Sequence, residues 1–159
     1  MNSFATENLP YIQALSSLRD QMLDLLTDAD LAYKLPGANL SLGEVLHNRG
    51  NVQASYTESF HSFVQDFKMD HAPSDVGGSV AALRAWYKAT DERLEAAISG
   101  YSEEDAQSRV IRRESGYEAA VALQFEFYSQ ALFIFLGKES IYLRALDKPL
   151  TKEWIEYVG

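Results

Sequence analysis

The stretch QALFIFLGKESIYLRALDKPL, residues 130–150, decides the fold. Six apolar residues run without a break from Ala131 to Leu136. A short polar segment, Gly137–Ser140, follows them, and an amphipathic Tyr142-Leu143-Arg144 comes next. Asp147-Lys148-Pro149 then stops the pattern, because proline cannot continue a helix. The stretch therefore predicts the end of a long and largely buried helix.

That helix is predicted to be the fourth of four. Ser115-Gly116-Tyr117-Glu118 matches a capping box, so we expect helix 4 to begin there and to run to about Leu146. A second capping box, Ser41-Leu42-Gly43-Glu44, predicts the start of helix 2. Apolar residues spaced by three and four predict helix 1 over about 9–27, with Pro10 in its first turn, and helix 3 over about 79–98.

No run of the chain alternates in the way that a strand does. The segment 101–115 holds at most one helical turn. The sequence thus predicts an all-α fold, a four-helix bundle with a long connection between helices 2 and 3. We expect residues 1–159 to form a single domain.

Composition and charge exclude several classes of protein. The chain has 14 basic and 23 acidic residues, a net charge of −9, which argues against nucleic-acid binding and against binding to anionic membranes. Because there is no cysteine, disulfides, thiolate metal sites and cysteine nucleophiles are excluded. The N-terminal segment lacks the features of a signal peptide, and no apolar run approaches the roughly 20 residues of a membrane span. We therefore expect a cytoplasmic protein.

Candidate site residues gather around one histidine. His61 and His71 are expected to be structural or surface residues, whereas His47 lies among small residues in the second turn of helix 2. A lone inward histidine is either a hydrogen-bonded core residue or part of a pocket, and both interpretations stay open. The polar residues that would share such a pocket come from helices 2 and 4: Arg49, Asn51, Gln53, Glu126 and Gln130.

These residues do not make a metal site. His47 and Glu126 would supply two good ligands, and a catalytic metal site usually has three from the protein. No Glu-x-x-His pair occurs on any predicted helix, and no glycine-rich phosphate loop is present. We expect no metal and no cofactor.

Three segments are similar, in their order and spacing, to those of one known family. They are LPGANLSLGEVLHNRGNVQASY (35–56), SVAALRAWYKATDERLEAAISGYSEEDAQSRV (79–110) and FLGKESIYLRALDKPLT (135–151). Together they resemble the entry to helix 2, helix 3 with its following loop, and the end of helix 4 in the DinB-like family. That family consists of four-helix bundles related to the YfiT-type proteins, so the resemblance supports the predicted fold.

The resemblance also implies a degenerate metal site. Enzymes of the family, some of them thiol S-transferases and others metal-dependent hydrolases, hold a divalent metal with three histidines. Alignment on Gly137 and on Tyr142-Leu143-Arg144 places the helix 2 histidine at His47 and the two helix 4 histidines at Ala131 and Phe135. Neither of those two side chains can bind a metal, so His47 is the only ligand-type position that is retained.

Three interpretations of function stay open. The first is a non-catalytic binding or structural protein with a pocket for a small molecule near His47. The second is an enzyme of hydrolase or thiol S-transferase type, in which His47 acts as a general base with Glu126 or Arg49 as its partner. The third is a regulatory or stress-associated interaction protein that works through its surface as a dimer.

The apolar content of helix 4 predicts a homodimer. A helix that is apolar nearly all round must be buried nearly all round, and two-fold dimers are the commonest oligomers. We therefore expect a second copy to cover helix 4 unless helix 1 and the 101–115 loop already do so. The residues that need this cover include Phe125, Leu132, Phe133, Leu136, Leu143 and Leu146.

Overall fold

The computed structural model describes residues 2–73 and 75–159, and most of these residues are helical. The α-helices within them are α1 (Ser3–Leu25), α2 (Leu42–Ser62), α3 (Val80–Ser99), α4 (Glu103–Ser108), α5 (Val121–Ala145) and α6 (Lys152–Val158). Two short 3-10 helices, Asp28–Ala32 and Val76–Gly78, precede α2 and α3. The strands are β1 (Val64–Gln65), β2 (Val110–Arg113) and β3 (Glu118–Ala120).

The four long helices pack around a shared core. Each of α1 and α2 contacts both α3 and α5. The core lies between them, and its fully buried side chains include Leu15 and Leu18 of α1, Leu46 of α2, Tyr87 of α3 and Leu136 of α5. The expectation of an all-α fold is right to a first approximation, since helices make up most of the structure.

The sequence did not predict the small sheet. Its order is β1-β2-β3, with β1 parallel to β2 at the pair Val64 and Arg112, and β2 antiparallel to β3 at the pair Ile111 and Ala119. A strand of two to four residues is too short to establish a period of two in the sequence. The expectation of no strands is therefore wrong, although the three strands lie only in the segments that connect the helices.

The start of α1 differs from its prediction. The helix begins at Ser3 rather than near residue 9, because the Asn2 side chain accepts a hydrogen bond from the backbone N–H of Ala5. Pro10 consequently lies inside the helix and not in its first turn. Proline lacks the N–H of a regular helical bond, but the side chain of Pro10 is exposed and needs no space in the core.

One of the two predicted capping boxes is confirmed. The Ser41 hydroxyl accepts from the backbone N–H of Glu44 at 3.2 Å, and the Ser41 N–H donates to the Glu44 carboxylate at 2.6 Å. The other is wrong, because Gly116 has a φ of +81° and lies in the turn between β2 and β3. There the Gly116 N–H donates to the Arg113 carbonyl, and α5 begins only at Val121.

Most of the apolar surface of α5 is covered within the chain. Phe125 and Leu136 are buried, and Phe133 packs against Tyr11 of α1 with 6.1 Å between the ring centroids. These phenylalanines therefore do not by themselves require a second copy, and the homodimer stays a prediction. Ile134 and Ile141 are the large apolar residues of α5 that stay more than half exposed, at 59% and 57%, among the residues described.

Candidate functional site

A cleft of about 380 Å³ opens between the 35–40 loop, α2 and α5. Polar groups enter it from each of the three elements, since Asn39, Asn48 and Lys138 also line it. Concave, mostly apolar sites with a few polar groups are the usual form of small-molecule sites. The apolar part of its wall consists of Leu35, Ala38, Leu40, Val45, Phe135 and Ile141, together with the ring of Tyr142.

Local structure fixes the two long walls of this cleft. The Ser41 capping box starts α2 at Leu42, so that Val45 and Asn48, three residues apart, line the same side. The Tyr142 hydroxyl donates to the Leu40 carbonyl at 2.5 Å and joins the loop to α5. Burial raises the pKa of Tyr142, so this phenol stays a neutral donor.

Lys138 is the positively charged residue in the lining of the cleft. Its ammonium nitrogen lies 4.9 Å from the ring centroid of Phe135, within the range of a cation–π contact. It forms no ion pair with any residue in 2–73 or 75–159. The side chains of Lys138 and Asn48 are both exposed, and they face the same cavity from α5 and from α2.

The residues that follow Asn48 and Lys138 in the chain, Arg49 and Glu139, form a buried ion pair. Nη1 of Arg49 is 2.6 Å from Oε2 of Glu139, and neither side chain has accessible surface. Burial raises the pKa of Glu139, and Arg49 opposes that shift. Nε and Nη2 of Arg49 and Oε1 of Glu139 have no hydrogen-bond partner within the described residues. Arg49 is therefore a structural group of the core rather than a group that a solvent-borne ligand can reach.

Gln53 belongs to a second polar network of the core. Its amide nitrogen is 2.5 Å from the carboxylate of Asp91 on α3. The same carboxylate accepts from Arg19 of α1 at 2.8 Å, and the guanidinium of Arg19 lies 4.7 Å from the ring centroid of Tyr87. Arg49 and Gln53 thus join α2 to α5 and to α3, respectively.

His47 lies on the side of α2 that faces α3. Its ring is half-buried, with 6.1 Å between its centroid and that of Trp86. It lines a shallow cavity of about 290 Å³ with Gly43 and Gly77. Phe135, which the family alignment pairs with His47, lines a different cavity, where the residues of α2 are Val45 and Asn48.

Asn51 fixes the loop that follows β1. Its side-chain amide donates to the carboxylate of Asp70 at 2.9 Å, and its oxygen accepts from the backbone N–H of His71 at 2.8 Å. Hydrogen bonds from Ala72 and Asn51 hold the pKa of Asp70 below its ordinary value. His71 is half-buried in this arrangement, whereas the exposed His61 contacts the Arg93 carbonyl at 3.1 Å.

Glu126 and Gln130 lie far along α5 from these groups. Both are exposed, and they line a groove with Asn8 and Tyr11 of α1. The six residues predicted to share a pocket thus fall into three groups: His47 and Asn51 both act on Asp70, Arg49 and Gln53 lie in the core, and Glu126 and Gln130 line the α1–α5 groove. The structure does not bring His47 and Glu126 to the same cavity.

Sequence reasoning missed the residues that line the cleft. Asn48 follows His47 directly, and only the phase of the helix distinguishes the two. Lys138 lies in the short polar segment Gly137–Ser140, and nothing in the sequence marks it as part of a site. Tyr142 was one residue of a motif, with no sign that its hydroxyl reaches Leu40, 102 positions away.

Two further properties concern metals and membranes. Within residues 2–73 and 75–159, no three histidine or acidic side chains lie close enough together to hold a metal ion. In the same part of the chain, none of the helices has the length and apolarity needed to cross a bilayer.

Comparison with known proteins gives a likeness of fold. The structure is similar to a crystal structure of the mycothiol-dependent maleylpyruvate isomerase, with a TM-score of 0.62 and 16% sequence identity. The match covers 92% of this chain and 70% of the isomerase chain. At this identity the likeness shows the fold alone. No family model matches the sequence, and no curated protein matches it either.

Proposed function

We propose that this chain is a non-catalytic, DinB-like binding protein whose ligand occupies the cleft between the 35–40 loop, α2 and α5. In this proposal residues 1–159 form one domain, and its four long helices form a four-helix bundle. The likeness of fold to the isomerase supports the DinB-like assignment. The stress-associated role and the cytoplasmic location stay predictions from the sequence.

One observation carries the proposal. The cleft combines an apolar wall with a small set of polar groups, Asn39, Asn48 and Lys138, which is the composition of a small-molecule site. The helices of its walls are joined by the buried pair of Arg49 and Glu139. Both side chains are fully buried, so a ligand in the cleft does not contact them. Binding without turnover is the function that this arrangement supports best.

A second candidate is an enzyme that uses His47, either as a general base or as part of a metal site of hydrolase or thiol S-transferase type. The observation in its favour is the cavity beside His47, together with a fold that resembles that of an enzyme. Its partner would have to be a residue near that cavity, because Arg49 is buried against Glu139 and Glu126 lines a different groove. Elemental analysis of the purified protein distinguishes a metal-bound form from a binding protein.

Filling the cleft tests the first candidate. N-phenyl-1-naphthylamine is a neutral aromatic probe whose fluorescence rises in apolar sites, and we expect it to bind the wild-type chain. Ala38→Trp places an indole in the mouth of the cleft and should abolish that binding. Ala122→Trp, at an exposed position of α5, is the matched control and should leave it unchanged. A wild-type chain that does not bind the probe would contradict the proposed function.

A further inference from the structure

We propose, as a refinement that rests on the proposed function, that the cleft takes an amphipathic organic anion. Such a ligand has an aromatic or alkyl body and one carboxylate or sulfonate end. Its body would lie along Val45, Phe135 and Ile141, and its charged end would lie between Lys138 and Asn48.

The size and lining of the cleft indicate how large and how apolar the body of this ligand is. A volume of about 380 Å³ lies at the lower end of the range of small-molecule sites. Phe135 is buried and presents its ring as part of the wall, while Ile141 is exposed and lies at the rim. An apolar body gains free energy there in proportion to the area that it removes from water.

The positive charge of Lys138 indicates that the other end of the ligand is anionic. Lys138 is the charged residue among those that line the cleft, and its ammonium group has three donors with no carboxylate partner in the described residues. Asn48 adds an amide donor from the opposite wall. A carboxylate between an ammonium and an amide would accept charge-assisted hydrogen bonds, which are the stronger kind.

The nearby carboxylates Glu44 and Glu139 each have another cation as their partner. Glu44 is held at the start of α2 by the Ser41 N–H and lies 3.6 Å from Lys34. Glu139 is buried against Arg49. The positive end of the cleft therefore persists in a chain whose net charge is −9.

The groove between α1 and α3 provides the contrast. It has a similar volume, about 390 Å³, but is lined by the carboxylates of Asp20, Asp24, Asp91 and Glu95. Anions would be repelled there. An anion that binds this chain should therefore select the cleft at α2 and α5.

A matched pair of probes tests the charge of the ligand. 8-Anilino-1-naphthalenesulfonate has the same aromatic framework as N-phenyl-1-naphthylamine and adds a sulfonate. We expect Lys138→Gln to weaken binding of the sulfonate about five- to tenfold more than binding of the neutral probe, the effect of one nearby charge in a partly exposed site. Lys88→Gln, which removes one exposed lysine from α3, should alter neither.

Competition adds an independent readout. Decanoate should displace both probes, and decyltrimethylammonium, which has the same alkyl chain and the opposite charge, should need a higher concentration to do so. Equal affinity of wild type and Lys138→Gln for the sulfonate would overturn the assignment of an anionic ligand while leaving the cleft as a binding site. If neither probe binds the wild-type chain, the proposed function fails, and this refinement fails with it.

Discussion

Arg49 and Glu139 are joined by a 2.6 Å contact between α2 and α5, although they lie 90 positions apart in the chain. Both side chains are completely buried. Moving two charges out of water costs several kcal/mol for each ion, and a pair recovers this only with good geometry and further hydrogen bonds. Three nitrogen and oxygen atoms of this pair have no further partner within the described residues. The pair therefore fixes the position of α2 against α5 more than it adds net stability.

Replacing one partner of the pair should lower the free energy of unfolding more than replacing both. Arg49→Met leaves the Glu139 carboxylate buried without its partner, and we expect a loss of about 3–5 kcal/mol in the free energy of unfolding. Arg49→Met with Glu139→Met should lose much less, because no buried charge remains. Urea denaturation of the single and double variants measures both values. A double variant less stable than Arg49→Met would contradict this account.

The cost of Arg49→Met should depend on pH. Burial already raises the pKa of Glu139 above its ordinary value of 4.5, and loss of Arg49 raises it further. Above about pH 4.5 the unfolded state releases this proton while the folded state keeps it, so the part of the cost that arises from ionisation of Glu139 is absent below that pH and grows as the pH rises toward the folded pKa. Denaturation of both proteins at pH 5 and pH 8 should show the larger difference at pH 8. An equal difference at the two values would exclude ionisation of Glu139 as its cause.

Gly43→Ala and Gly137→Ala should change the stability of the fold in opposite directions. A Cβ at Gly43 would lie 2.1 Å from the carbonyl oxygen of Gly77, so Gly43→Ala must separate α2 from the Val76–Gly78 turn. We expect a loss of about 1–3 kcal/mol, as for other overpacked sites. A Cβ at Gly137 meets nothing within 4 Å, and Gly137→Ala should stabilise α5 by about 0.5–1 kcal/mol. Thermal unfolding compares the two, and a more stable Gly43→Ala would show that this contact is not tight.

A homodimer through α5 remains a prediction. The observation that supports it is the exposure of two large apolar side chains of α5, Ile134 and Ile141. The two side chains lie seven residues apart on one face of the helix, and Gly137 between them permits close approach. Light scattering at micromolar concentration should give twice 17.8 kDa for the wild type and the monomer mass for Ile134→Glu with Ile141→Glu. A monomeric wild-type chain would remove this proposal.

The fold follows from sequence where a signal is local. Ser41 and Glu44 are three residues apart, so their capping box can be recognised without tertiary information. The same pattern at Ser115 misleads, because Gly116 takes a positive φ and pairing of β2 with β3 decides the local structure. Long helices are predictable in the same way, whereas strands of two to four residues depend on partners that the local pattern does not contain.

The candidate site was less accessible to sequence reasoning. The sequence indicates Arg49 and Gln53 as polar residues of helix 2, but their partners Glu139 and Asp91 lie on other helices and cannot be read from the local pattern. The choice between His47 and Asn48 as the residue that faces α5 depends on about 100° of helical phase. An error of one residue in that phase transfers a predicted site to a different face of the helix.

The 2.5 Å bond between Tyr142 and the Leu40 carbonyl has a consequence for the order of folding. The cleft joins a loop and helix from the first third of the chain to the end of α5, so its walls meet only after a long loop has closed. Helices α2 and α3 are near neighbours in sequence and can pair before this happens. Probe binding would then report the formation of the cleft as the last event of folding. During refolding, probe fluorescence should appear after the helical circular dichroism signal has been recovered.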